Sequence, residues 1–157
     1  MDLINTDRYP IHREVEMREA LVRQCRKSLQ EEALCALPGF LTAEAVQQIA
    51  REITSLSGEA KFNPHLRSPF PWMDNSGFPP GHPRSALFLR RFDYLMRHQF
   101  PENSLLLRLL KSEELTAFVR DALGQKTLYN SACPTLSVQV NLMNEGDVLP
   151  WHYVSGQ

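Results

Sequence analysis

The residues of this chain best suited to chemistry are one histidine, one amide and a few arginines. His152 lies in Trp151-His152-Tyr153, shortly after Gly146-Asp147. An imidazole can ligate a metal or carry a proton; beside a tryptophan it can equally have neither task. Asn141 stands eleven residues earlier, where it is either a donor toward a ligand or the end of a polar strand face. Arg84 and the pair Arg90-Arg91 can grip a substrate carboxylate, or can be ordinary solvated and fold-pairing charges. His65 and His82 lie in a stretch rich in proline and aromatics that can act as a lid. Asp147 with Gly146 suits a tight turn. Cys25, Cys35 and Cys133 form no CxxC pair and read as free thiols of a reducing cytosol. GxSxG, HExxH, phosphate-binding glycine loops and paired-cysteine zinc patterns do not occur, and no residue is assigned as a catalytic acid, base or nucleophile.

The elements that must position these residues come from the rest of the pattern. With 157 residues, the chain is expected to form a single domain, 1–157, able to bury a core. Net charge is -1, with lysines and arginines scattered, which predicts no nucleic-acid surface and no membrane-binding patch. No apolar run approaches a membrane span, and the N-terminus lacks the order of a signal peptide, so a cytoplasmic protein is expected.

Residues 13–36 read as a helix with Val15, Leu21, Val22, Cys25 and Leu29 at helical spacing. A second helix follows Thr42 as N-cap, with Val46, Ile49, Ala50, Ile53 and Leu56 in one stripe and Gly58 as a left-handed C-cap. Residues 59–84 have no periodicity and hold Phe62, Phe70, Trp72 and Phe78 among prolines; a loop of that length is expected to be ordered and functional. Helical signals return at 85–98 and 103–110, and Ser112 caps another helix carrying Leu115, Phe118, Val119, Ala122 and Leu123. After Gly124 the period becomes two. Leu136, Val138, Val140 and Leu142 alternate with more polar neighbours, "NEGD" makes a turn, and "VLPWHYV" begins a returning strand. The expected class is α+β: residues 1–124 mainly helical with the 59–84 loop, and 125–157 the start of a β core.

The stretch "LSVQVNLMNEGDVLPWHYV", residues 136–154, resembles the signature of Fe(II)- and 2-oxoglutarate-dependent oxygenases. "LPGFLTAEAV" and "GHPRSALFLRRFD" resemble the helical lead-in of the branch that hydroxylates or halogenates amino acids and similar small molecules. The resemblance runs from about residue 37 to 153. It implies N-terminal helices followed by the first strands of a double-stranded β-helix, a jelly-roll-like core. It implies Fe(II) and 2-oxoglutarate as cofactors, His152 as the first metal ligand, Asn141 as a 2-oxoglutarate contact, and a small substrate such as a free amino acid. Arg84 and Arg90 are then the candidates for its carboxylate.

The pattern breaks at Val154, where the family carries a carboxylate and halogenating members carry Gly or Ala. Valine cannot bind metal, and its branched side chain fills the space of a halide. Met143 also replaces a frequent Tyr. The expectation is therefore a C-terminally incomplete β core whose remaining ligands lie beyond Gln157, inactive as this chain. The other reading is a non-catalytic shortened product or an interaction module that self-associates through an open strand edge.

Overall fold

The structure, a computed structural model, describes residues 2–12, 15–71 and 73–153. It is mixed α and β, as the class expected. The helices are α1 Val15–Glu32, α2 Ala43–Ser55, α3 Leu105–Leu110 and α4 Glu113–Ala122; the strands are β1 Lys61–Phe62, β2 His65–Arg67, β3 Phe88–Arg90, β4 Asp93–Met96 and β5 Gln139–Leu142. The chain forms two compact units that interleave in sequence, where one domain with a boundary at 124 was expected. One takes the residues up to Leu56 and Arg97–Ser137; the other takes Ser57–Met96 and the chain from Val138 onward. No helix among the described residues is long and apolar enough to cross a membrane.

The first unit is helical. Thr42, Ser104 and Ser112 each accept a backbone N–H with the side-chain hydroxyl, starting α2, α3 and α4 respectively; such caps satisfy donors that the first helical turn leaves open. Leu21, Val22 and Cys25 of α1 pack with Ala45, Ile49, Phe118 and Ala122 in one core. The buried stripe of α2 runs through Ala45, while Val46 is half exposed; the methyl of alanine lets neighbouring elements approach where valine would hold them off. Gly58 takes no left-handed conformation. It lies in a 3-10 turn at Ser57–Glu59, because Leu56 already closes α2 with its own N–H on Ile53 and Thr54. The thiol of Cys25 is pushed up to about 12 by burial and by the neighbouring Cys35 thiol, which fits an inert core residue.

α1 and α4 are joined by charge. Arg18 Nη2 lies 2.7 Å from Asp121 Oδ2, with about a quarter of each side chain exposed, and Arg26 donates to the Asp121 carbonyl. Burial alone would raise the Asp121 carboxyl, but hydrogen bonds from Arg18 and Arg120 outweigh it and hold the group below the usual carboxylate range. A depressed carboxyl stabilises the fold above the unfolded-state value and loses that contribution as pH falls through the folded-state value. Acidification through and below the ordinary carboxylate range is therefore expected to destabilise the helical unit. Asp121→Asn should cost about 1–2 kcal/mol at neutral pH and flatten that part of the pH dependence in thermal melts.

The second unit holds the strands, in sheets ordered β1-β4-β5 and β2-β3. The helix expected at 85–98 is replaced by two strands between 3-10 turns at Pro83–Ser85 and Arg97–Gln99, so β1 to β4 all lie within residues 1–124, expected to be mainly helical. Leu87, Phe88, Leu89, Phe92 and Leu95 suit a helical stripe and a strand almost equally, and pairing decides: Phe88–Arg90 lies on β2 and Asp93–Met96 lies between β1 and β5. The hairpin expected between 136–142 and 148–154 is also absent over the described residues. β5 pairs with β4, and Val148 then bridges to Arg91 on the same antiparallel partner. "NEGD" is an excursion within one strand line, not a reversal between two strands.

Candidate functional site

β4 aligns β5. Tyr94 pairs with Asn141 and Met96 with Gln139, while Leu95 pairs with Val140 and Asp93 with Leu142. Alternation then turns Gln139 and Asn141 outward and Val140 and Leu142 inward, the arrangement expected from sequence. Lys61 pairs with Tyr94 from the other side, so Lys61, Tyr94 and Asn141 form one row across three strands. Gln139 Nε2 donates to Asn141 Oδ1 at 2.6 Å. That bond uses the Asn141 oxygen, and its NH2 is the group still able to donate to an anion.

The excursion after β5 is fixed by Asp147. Its carboxylate accepts the Asn144 N–H at 2.8 Å, lies 3.4 Å from Arg91 Nε, and is only 5% exposed. Gly146 has φ 84°, a left-handed conformation that glycine adopts without a Cβ clash. Arg91 and Val148 exchange backbone hydrogen bonds of 2.8 Å each. Arg91 thus serves the ribbon: its side chain meets Asp147, and its guanidinium lies 5.8 Å from the Phe62 ring centre.

Beyond the bridge the chain carries Trp151, 96% exposed, and His152, also exposed. His152 Nδ1 lies 2.9 Å from the Pro150 carbonyl oxygen. Tyr153 is held more firmly. Its N–H donates to Pro69 O at 2.7 Å, and its ring stacks on Phe70 with centres 4.7 Å apart and planes at 10°. Val154 lies outside the described residues.

The 59–84 segment is ordered around Arg84. The guanidinium lies 4.3 Å from the Phe78 ring centre and 5.9 Å from that of Phe70. Its Nε donates to Asn75 Oδ1 and its Nη2 to the Asp74 carbonyl. His82 accepts the Arg84 N–H through Nδ1 and stacks on Phe78. The expected loop over something therefore has a definite partner, the Phe70–Tyr153 stack, and Arg84 has neighbours inside the loop. Arg90 is placed differently: its guanidinium lies over Phe92 at 4.6 Å, and its buried Nε has no hydrogen-bond partner among the described residues. His65 Nδ1 faces the Asn63 carbonyl at 2.9 Å.

Among the described residues no three His, Cys, Asp or Glu side chains converge as a metal site. One solvent-facing imidazole does not hold ferrous iron, which in non-haem oxygenases takes two imidazoles and a carboxylate. The described residues thus do not fit an iron centre by themselves. One feature carried only a faint sequence signal. The Tyr153–Phe70 clamp was foreshadowed only by Pro69-Phe70-Pro71, an aromatic held between two rigid residues. No protein-family model, curated protein or solved structure matches this chain.

Proposed function

We propose that this chain carries the lead-in and first core strands of a 2-oxoglutarate-dependent oxygenase framework. In the complete enzyme that framework would be a double-stranded β-helix hydroxylating a small amino-acid-like substrate. Among the described residues no side chains converge as an iron site. The reading is carried by one arrangement: Asn141 faces outward on an antiparallel strand, and a Gly-Asp excursion locked by Asp147 leads to His152 eleven residues later. Asn141 suits a co-substrate carboxylate as a donor, and His152 stands at the position of a first ligand. Arg90 suits a substrate carboxylate, while Arg84 is engaged with the loop around it.

The expected result is no substrate-dependent succinate when the purified chain is supplied with Fe(II), 2-oxoglutarate and a panel of free amino acids, measured by chromatography. Succinate formed above the protein-free rate, and lost in His152→Ala, would overturn the ligand count.

An interaction role is favoured by a separate observation. β5 is an edge strand among the described residues, and Met143, Val148, Leu149 and Trp151 beyond it are exposed. An edge with apolar neighbours invites pairing with another chain. Light scattering separates the readings: concentration-dependent oligomers support edge pairing, and a monomer at all concentrations opposes it.

A further inference from the structure

The chain leaves α1 through a turn that an alanine rarely makes. Ala33 has φ 55°, in the left-handed region where a Cβ is crowded by the backbone. Glycine is the usual residue just past a helix end for that reason. Here packing after the turn holds the alanine in place. Leu34 points to solvent, whereas Cys35 and Leu37 pack against the core cluster that contains Cys25 of α1. The reversal at Ala33 thus lays Cys35 beside Cys25, and the two thiols meet as hydrogen-bond partners. Ten residues separate them in sequence, a spacing that signals no pair; the turn creates it.

The two members of the pair differ in access. Cys25 is 2% exposed. Burial keeps it a thiol and shields it from dissolved reagents. Cys35 is partly exposed, so a reagent meets it first. A surface thiol backed by a buried one in contact with it has the layout of an attacking and a resolving cysteine. The third thiol, Cys133, sits in a turn of its own, where its sulfur accepts the Leu136 N–H at 3.3 Å.

We propose that Cys25 and Cys35 form a reversible disulfide in the folded chain, by exchange with a low-molecular-weight disulfide, tying the end of α1 to the segment that leads into α2. Cys35, as thiolate, attacks one sulfur of the reagent. The reagent's S–S bond breaks, a mixed disulfide forms on Cys35, and the released thiolate takes the proton that Cys35 gave up. Cys25 then loses its proton and attacks the Cys35 sulfur. The Cys25–Cys35 bond forms, the mixed disulfide breaks, and the second reagent thiolate leaves with the Cys25 proton. Two protein thiols are oxidised to one disulfide, and the reagent is reduced to two thiols. Neither iron nor the oxygenase reading enters this chemistry.

The test uses the full chain, reduced, freed of reductant, and then exposed to glutathione disulfide without denaturant. Remaining thiols are alkylated before digestion. Trypsin cuts after Arg26 and Lys27, between the two cysteines, so the link survives as two joined peptides in mass spectrometry. The expected product has Cys25 linked to Cys35 and no glutathione left on Cys35. Cys25→Ala should stop the reaction at the mixed disulfide, retaining at least roughly tenfold more glutathione on Cys35. The linked chain should melt on the order of 5 °C above the reduced chain, and added reductant should reverse that shift. If Cys25→Ala does not fold, the peptide map and melts of the unaltered chain carry the comparison. A persistent mixed disulfide on Cys35 in the unaltered chain would overturn the assignment. So would a link from either cysteine to Cys133, oxidation that occurs only in denaturant, or a linked chain that melts no higher.

Discussion

Leu95→Ala is expected to cost the strand-bearing unit about 3–5 kcal/mol, the upper part of the range for a buried leucine. Leu95 is the centre of that unit. It lies on β4, the middle strand, pairs with Val140 and has 0% exposure. Removing its branched end deletes packed methyl groups and leaves a cavity that two flanking strands cannot close without breaking register. Chemical denaturation reads the loss as an earlier midpoint. Leu89→Ala is the matched control: the same residue type on β3, but 46% exposed, is expected to shift stability by no more than about 1 kcal/mol. Equal effects of the two substitutions would contradict the assignment of inner and outer faces.

The second large effect is expected at Arg84. Its guanidinium holds the loop by lying over Phe78 and near Phe70 while donating to Asn75 and Asp74. Phe70 in turn stacks on Tyr153, so the loop and the segment bearing His152 share one support. Arg84→Lys keeps the charge but removes the planar fork and the ring stacking. Loss of one charged hydrogen-bond set and its ring contacts is expected to cost about 2–3 kcal/mol. Amide exchange should accelerate at Phe70 and Arg84, whose N–H groups bond to Ser68 and His82. Limited proteolysis should also find new cleavage between 68 and 84. Exchange as slow as in the unaltered chain would show that the loop is held by something other than this side chain.

The helical half was largely legible because local chemistry and long-range packing agree there. Thr42 and Ser112 start helices where their hydroxyls were expected to cap, and Leu21, Val22, Cys25, Phe118 and Ala122 are buried as their spacing implied. The outward placement of Asn141 was legible for a similar reason, since alternation around it is clean. Residues 85–98 were not legible. Their leucines and aromatics recur at intervals compatible with both periods, and the choice was made by β1, β2 and β5, which are distant in sequence. The course after "NEGD" escaped for a different reason. A Gly-Asp turn specifies a local bend, but the Arg91–Asp147 ion pair and the Arg91–Val148 bridge decide which strand the chain meets next.

The proposed lineage gives His152 a metal-ligand position from which one neighbouring ligand, two residues on, is replaced by valine. Restoring it tests the central claim. In the proposed lineage the first His and the carboxylate stand two residues apart on one strand and share a face, so Val154→Asp restores the residue type that the lineage carries at that position. Anaerobic Fe(II) titration in the presence of 2-oxoglutarate is predicted to show weak uptake by the unaltered chain and affinity at least roughly tenfold tighter in Val154→Asp, about 1.4 kcal/mol. The gain should vanish in the double variant His152→Ala, Val154→Asp. Equal affinity of the unaltered and Val154→Asp chains, or a gain that survives loss of His152, would contradict the account.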